Sequence, residues 1–249
     1  MSADGRAQLL VRDGVRLGEN RPRCDRLHRR MQPDAQSQEK HRKVSRRPYY
    51  ASWMDQVRHT PAYRHTNTWH TNKVDAGGNY VPDPEGDAMT FLDDCIAKVE
   101  DYRNQNDSTV TVSIRFIVHL VGDMHCPGHV KYPWYKSFKF TLSGKEYGLH
   151  NYWDEWALTL SNKWHYLEYG HQLDRCSKRE KRDIAEGTPR DWLADSAREC
   201  RVIYDWTKAG QTLSYEESRD FIIFSYEFAE AQVLKAGYRL AALLNRLFG

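Results

Sequence analysis

The chain has 249 residues, 40% of them hydrophobic and 12% aromatic, which is enough for one domain with a substantial core and argues against a wholly disordered polymer. No apolar run approaches the roughly 20 residues that span a bilayer. The formal charge of +3 conceals an asymmetry: residues 1–48 carry 13 lysines and arginines against 6 acidic residues, and the remainder carries 24 against 28. Five cysteines (Cys24, Cys95, Cys126, Cys176 and Cys200) fall in no zinc-ribbon or Cys-x-x-Cys spacing, and an odd count makes a poor disulfide framework.

Residues 1 to about 47 show neither helical nor strand periodicity and are rich in Arg, Gln and Asp, the texture of a disordered segment. Met1 to Arg6 lacks the apolar stretch of a signal peptide. From Tyr49 the texture changes, and a short helix is predicted to Arg58 with Asp55 and Arg58 on one side. Asn67 to Asn72 reads as a loop or a short extended piece. A Gly/Pro-rich loop follows from Gly77 to Gly86, then a helix from about Ala88 to Arg103 and a longer one from about Thr109. Ser137 to Tyr147 alternates around Ser143-Gly144 like a hairpin, and a helix bearing His150 comes next. A charged, loop-like region spans Arg175 to Pro189. Helices from about Trp192 to Trp206 and from about Ser214 to Phe248 close the chain, the last presenting a core face. The prediction is a mainly α protein with one small β-ribbon.

Phe116 to Val130 carries the most chemistry. Ile114, Phe116, Ile117 and Leu120 mark a core-facing helix, on which His119 and Asp123 lie one turn apart, roughly 6 Å from each other. Pro127 and Gly128 break that helix and let His129 return toward the same point. Imidazole and carboxylate groups on an apolar face are costly to bury unless something uses their lone pairs, and a metal ion is the simplest such partner. His150 and Asp154 repeat the spacing. Nitrogen and oxygen donors without a cysteine pair suit a catalytic zinc site better than a structural one. His125 and Asn151 read as packing or orienting residues, and Cys126 as a small buried residue rather than a nucleophile.

His119-x3-Asp123-x5-His129, followed by Leu149-His150-x2-Trp153-Asp154, resembles the S1/P1 nuclease family. Ala51-Ser52-Trp53-Met54-Asp55, Trp69-His70, Gly187 to Trp192 and Ala236 to Ala241 extend the resemblance from about residue 48 to the C-terminus. It implies a single mainly α domain of phospholipase C/P1 nuclease type with a small β-hairpin. It also implies a zinc-dependent endonuclease and 3′-nucleotidase that cuts single-stranded DNA and RNA to 5′-phosphates. By position, Asp55, His70, His119 and Asp123 resemble the ligands of one zinc, and His129, His150 and Asp154 those of a second. Asp55 also resembles a water-orienting group, and Arg58 the arginine that meets developing phosphate charge. Seven such residues across four segments turn what would otherwise be helix salt bridges into an expected Zn2+ site. Two departures concern the substrate. Thr71 stands where the family often has a base-stacking aromatic, and Lys131 to Lys136 replaces a Gly-Gly-Asn segment, leaving Trp134 and Tyr135 as the aromatics available for stacking.

The family's mature chain opens Trp-Gly-x-x-Gly-His, whose amine, carbonyl and imidazole hold a third zinc, and nothing here matches it. Read one base later, however, the codons of Leu17 to Arg26 permit Trp-Gly-Lys-Ile-Gly-His. The expectation is that residues 1–47 are a frame-shifted translation and that residues 48–249 form the nuclease-like domain, with the third site incomplete. The coding DNA tests this directly. Two alternatives to a nuclease stay open at this point, a phospholipase-C-like phosphodiesterase and a catalytically impaired zinc-binding relative. The expected partners are single-stranded nucleic acid or a 3′-nucleotide, with no membrane and no obligate protein. The resemblance implies a secreted or periplasmic enzyme, although no signal peptide is visible in this chain.

Overall fold

The computed structural model describes residues 49–164 and 166–248, so the expectations for residues 1–47 lie outside the described part. Three helices make the scaffold on which the chemistry sits: α1 (Tyr49–Val57), α2 (Ala88–Glu100) and α3 (Asp107–Met124). α3 starts where Asn106 accepts a hydrogen bond from the Thr109 N–H at 2.7 Å, satisfying a backbone donor that the first turn leaves open. Its second half is buried almost all round, with Phe116, Ile117, Val118, Leu120, Val121 and Met124 each 3% exposed or less. A helix apolar on every side is a central helix, packed on more than one face. Truncating Leu120 to alanine there would cost about 2–5 kcal/mol. α2 is capped by Asp87, which accepts from the Thr90 N–H at 2.8 Å, and buries the stripe Met89, Leu92, Ile96 and Val99 against the core.

A small sheet lies beside these helices in the order β2-β1-β3. β1 (Asn72–Val74) runs antiparallel to β2 (Tyr80–Val81) and parallel to β3 (Val130–Lys131). The register pairs Asn72 with Val130, which pins the chain just after His70 to the chain just after His129. Strands of two or three residues are too short to show alternation, so the sequence predicts only the other ribbon. That hairpin is present as β4 (Lys139–Leu142) and β5 (Lys145–Gly148). Its turn residues Ser143 and Gly144 both have positive φ, 50° and 78°, as a two-residue I′-type turn requires.

β5 leads into α4 (Leu149–Asn151), a π-helical turn (Tyr152–Trp156) and α5 (Ala157–Thr159). Tyr152 and Trp153 are fully buried, and Tyr152 stacks on Phe221 with ring centroids 5.0 Å apart. Then come α6 (Tyr166–Leu173), α7 (Lys178–Ala185), α8 (Pro189–Cys200), α9 (Ile203–Trp206) and α10 (Tyr215–Phe248). α7 corrects the loop expected over Arg175 to Pro189. It has no buried residue, hence no apolar stripe, and is held by a capping box in which Ser177 and Glu180 satisfy each other's backbone N–H. α8 starts earlier than expected because Thr188 and Asp191 form a second capping box around Pro189. Among the described residues no helix is long and apolar enough to cross a membrane.

Candidate metal centre

Five places in the fold supply the side chains. α1 brings Asp55 and Arg58, the segment before β1 brings His70, the end of α3 brings His119 and Asp123, the turn after α3 brings His129, and α4 with its π-helical turn brings His150 and Asp154. Each is placed by a local cause. Trp69 donates its indole N–H to the Glu85 carbonyl at 3.1 Å and packs on Phe91, fixing the backbone of His70. Gly86 sits at φ 92° directly under that indole, where a Cβ would lie 2.4 Å from the ring nitrogen. Gly128 does the same for His150, since a Cβ there would fall 2.7 Å from His150 Cδ2.

The seven predicted ligands converge. His119 Nε2 is 2.9 Å from Asp123 Oδ2, 3.0 Å from His70 Nδ1 and 3.9 Å from Asp55 Oδ2. His70 Nδ1 lies 3.2 Å from Asp123 Oδ2 and 3.7 Å from Asp55 Oδ1. On the other side His129 Nε2 is 2.9 Å from His150 Nε2 and 3.5 Å from Asp154 Oδ1. Asp123 joins the halves, because the same oxygen that meets His70 and His119 is 3.2 Å from His129 Nδ1. His70, His119, Asp123 and His129 are buried, whereas Asp55, His150 and Asp154 are partly exposed, so the deep members form a floor and the others the approach. Arg58 stands on that approach, with Nη1 3.4 Å from Asp55 Oδ1.

The hydrogen bonds at the far side of the rings show which atoms are left for a ligand. His119 Nδ1 meets only the Ala51 carbonyl on that side, and a carbonyl accepts, so Nδ1 donates and the Nε2 of the neutral ring presents a lone pair to His70 and Asp123. His129 Nδ1 donates to the His70 carbonyl at 2.8 Å, leaving Nε2 to His150 and Asp154. This orientation by a carbonyl behind the ring is the arrangement found around metal-ligating imidazoles. Nitrogen lone pairs about 3 Å apart do not stabilise one another without a proton or a cation between them. His70 Nε2 is also buried without a hydrogen-bond partner among the described residues. The donor set therefore fits a divalent ion of the zinc type.

Without a cation, protons take that place. Burial presses the His119 imidazole down, but the adjacent Asp123 carboxylate prevails and holds it up at about 9. His129 stays well above its ordinary value for the same reasons, Asp123 overcoming burial with help from Asp154. Burial works against the Asp123 carboxylate, yet His119 and His129 keep it well below the usual range. His70 is lowered by burial. His150 is pushed down to about 4, first by burial and then by the charge of His129.

The sequence reads Cys126 as a small buried residue and His125 as a packing or orienting one, and the structure shows what each touches. Cys126 lies against Asp154, its Sγ 3.8 Å from Oδ1, between two stretches already assigned to ligands. Behind α3, His125 donates Nδ1–H to the Val121 carbonyl at 2.8 Å and accepts from Arg239 Nη1 at 2.9 Å. Arg239 continues to the Ile184 carbonyl at 3.1 Å and to Asp195. Arg239 also lies over the Trp192 ring, 6.0 Å from its centroid, so the Gly187–Trp192 and Ala236–Ala241 segments meet at the back of the helix that carries the site. Of the aromatics weighed for stacking, Trp134 is 42% exposed but stacks on Tyr132 at 4.7 Å with Arg201 over its ring. Tyr135 is covered by Lys131, 3.8 Å from the ring centroid.

A mainly helical scaffold that gathers imidazoles and carboxylates at the end of a buried helix defines a candidate metal centre. Comparison with known proteins gives that class its family. The S1/P1 Nuclease family model matches residues 25–249, and the chain belongs to the S1/P1 nuclease family, with its phospholipase C/P1 nuclease helical fold. Endonuclease 1 of Arabidopsis thaliana is 24% identical over 238 residues, covering 79% of this chain and 73% of that protein. Nuclease S1 of Aspergillus oryzae is 25% identical over 232 residues, covering 78% and 77% respectively. The family and both names support a nuclease hydrolase.

Proposed function

We propose that the chain is a zinc-dependent endonuclease and 3′-nucleotidase acting on single-stranded DNA and RNA and leaving 5′-phosphates. The observation that carries the reading is that His119 and His129, each oriented by a carbonyl behind the ring, turn Nε2 toward a second imidazole and a carboxylate. Asp55, His70, His119 and Asp123 would hold one ion and His129, His150 and Asp154 a second. When bound, zinc supplies Lewis acidity to water and to the phosphoryl oxygens. Asp55, 32% exposed, is the most open of the carboxylates and orients the attacking water from the solvent side. Arg58 offers a fixed positive charge next to it for the phosphoryl oxygens. The buried Ala51 and His70 carbonyls hold the imidazoles of His119 and His129 in place through the reaction. The third site of the family draws on N-terminal residues outside those described and forms no part of this reading. The secreted or periplasmic setting belongs to the same proposal.

The test is the purified full-length chain loaded with zinc and offered heat-denatured DNA in one reaction and phosphatidylcholine in another. Release of 5′-nucleotides, abolished by a chelator and lowered on the order of 10²-fold in Arg58→Ala, is expected. Phosphocholine release without nucleotides would make it a phospholipase-C-like phosphodiesterase. Two bound zincs without turnover on either substrate would make it an impaired relative.

A further inference from the structure

We infer that Cys126 is a metal ligand of this chain, its thiolate completing the second site with His129, His150 and Asp154. The inference rests on the two-ion reading above and adds to it a donor that neither the motif nor the family match assigns. One suitable donor atom from each of Cys126, His129 and Asp154 lies within 4.8 Å of the other two. The individual spacings fit donors that share one ion. Bonds of about 2.3 Å to sulfur and about 2.0 Å to oxygen at a tetrahedral angle place the two donors about 3.5 Å apart, and nitrogen and oxygen about 3.3 Å apart. The structure has 3.8 Å between Cys126 Sγ and Asp154 Oδ1 and 3.5 Å between His129 Nε2 and Asp154 Oδ1.

The backbone holds the thiol there. Cys126 is the N-cap residue of the turn Pro127–His129. Its N–H donates to the Asp123 carbonyl at 2.9 Å, and its own carbonyl accepts from the His129 N–H at 2.9 Å. One residue thus hinges the Asp123 half of the centre to the His129 half, and its side chain is 4% exposed. A cysteine whose sulfur lies beside an imidazole and a carboxylate differs from a cysteine that fills a core gap. Cys95, for comparison, is buried among core residues on α2, and among the described residues no such group of ligand atoms surrounds it.

Binding is a simple exchange. The ion forms a bond to sulfur, the S–H bond breaks, and its proton leaves to solvent. With Asp154, the thiolate balances the charge of a divalent ion. The second site would then be close to neutral, would favour soft, thiophilic ions such as zinc and cadmium over magnesium or manganese, and would be the less acidic of the two. The Asp55–His70–His119–Asp123 site would carry the same formal charge, but with nitrogen and oxygen donors alone and no electron-rich thiolate it would be the stronger Lewis acid.

The test loads the metal-free full-length chain with cobalt(II), counts the ions by mass spectrometry and records the absorption spectrum. The expected result is a thiolate-to-cobalt charge-transfer band in the near ultraviolet that Cys126→Ser loses while still holding cobalt. An undiminished band in Cys126→Ser, or no band in wild-type protein that holds two cobalts, overturns the inference and leaves the two-ion reading standing. A chain that binds no cobalt overturns both. Should Cys126→Ser fail to fold, zinc-edge X-ray absorption on the wild type decides: a sulfur neighbour at about 2.3 Å is expected, and a shell of nitrogen and oxygen alone overturns the inference.

Discussion

Two buried histidine networks share the C-terminal end of α3, and they meet the same desolvation problem in opposite ways. Around His125 every donor finds an acceptor: Nδ1–H reaches Val121, Arg239 reaches Nε2, and Arg239 itself is taken up by Ile184 and Asp195. The ring stays neutral, pushed down to about 3 by burial and by the guanidinium beside it. Around Asp123, less than one turn away, the Nε2 atoms of His129 and His119 turn toward a second imidazole at 2.9 and 3.0 Å, and only a proton on that second ring or a cation can pair them. Burying polar groups is costly in both places unless they are paired. A network that closes on itself is structural, and one whose lone pairs converge needs something from outside. Burial and residue type alike fail to separate the two histidines; the direction of the hydrogen bonds does.

The sharpest way to break the comparison is to remove one member from each network. Asp123→Asn keeps the shape and removes the charge shared by both halves. Bound metal should fall from two ions per chain to about one, and nucleotide release should drop on the order of 10³-fold, since a metal's Lewis acidity is worth several kcal/mol. Metal counting by mass spectrometry beside the nuclease assay checks it, and an Asn variant that keeps both ions would take Asp123 out of the centre. Arg239→Met should do the reverse. It removes the donor to His125 while Asp195 keeps Lys235 and Arg198, and should cost about 1–3 kcal/mol, seen as a fall in Tm, while protein that remains folded keeps its full metal content. Loss of metal with an unchanged Tm would show that the two networks are one.

How much of this could be read in the chain depends on how local each cause is. α2, α3, α10 and the hairpin were legible because their apolar residues recur with the right period, and Ser143-Gly144 marks its turn by itself. α7 was not, because a helix with no buried face leaves no apolar stripe. β1 to β3 were not, because their pairing is long-range and each is at most three residues. At the site, the His-x3-Asp pairs named the helix-borne residues, and the resemblance supplied Asp55 and His70, which spacing alone leaves unconnected. The structure puts each of the seven within 4 Å of another of the set. Cys126 was read as a small buried residue, which its burial bears out, and a single cysteine carries no spacing signal that would place it beside Asp154. Arg239 was noticed only as part of a matching segment, since its partner His125 lies 114 positions away and no periodicity links them.

pH separates the networks more gently. His119 and His129 are held above their ordinary values, so in metal-free protein their contribution to stability is complete below about 6.5 and is lost as pH rises, through about 9 for His119. Asp123 acts in the opposite sense; its contribution is present above the usual carboxylate range and is lost only in acid. Metal binding displaces the imidazole protons, so the metal-bound form gains affinity over the range in which the metal-free form loses its proton clamp. The difference in Tm with and without chelator should therefore widen from pH 6.5 to 9, by several degrees in calorimetry. A difference that narrows would mean that cations and protons do not compete for these rings.

The smallest expected effect on the whole molecule is also the most selective. Gly128 faces the open network: a Cβ there would meet His150 Cδ2 at 2.7 Å and its backbone at 3.2 Å, and the three nearest atoms all belong to His150. Gly128→Ala should cost the low end of the ~1–3 kcal/mol of overpacking, because the ring can swing away where the backbone cannot. That swing separates His150 Nε2 from His129 Nε2 and opens the second site without disturbing Asp55, His70 or His119. The variant should hold one ion per chain in place of two, with Tm in the presence of chelator lowered by only a few degrees. Two ions retained at full affinity would mean that His150 is not needed for the second. The ligand set would then have to close on His129, Asp154 and whatever else stands within reach of them.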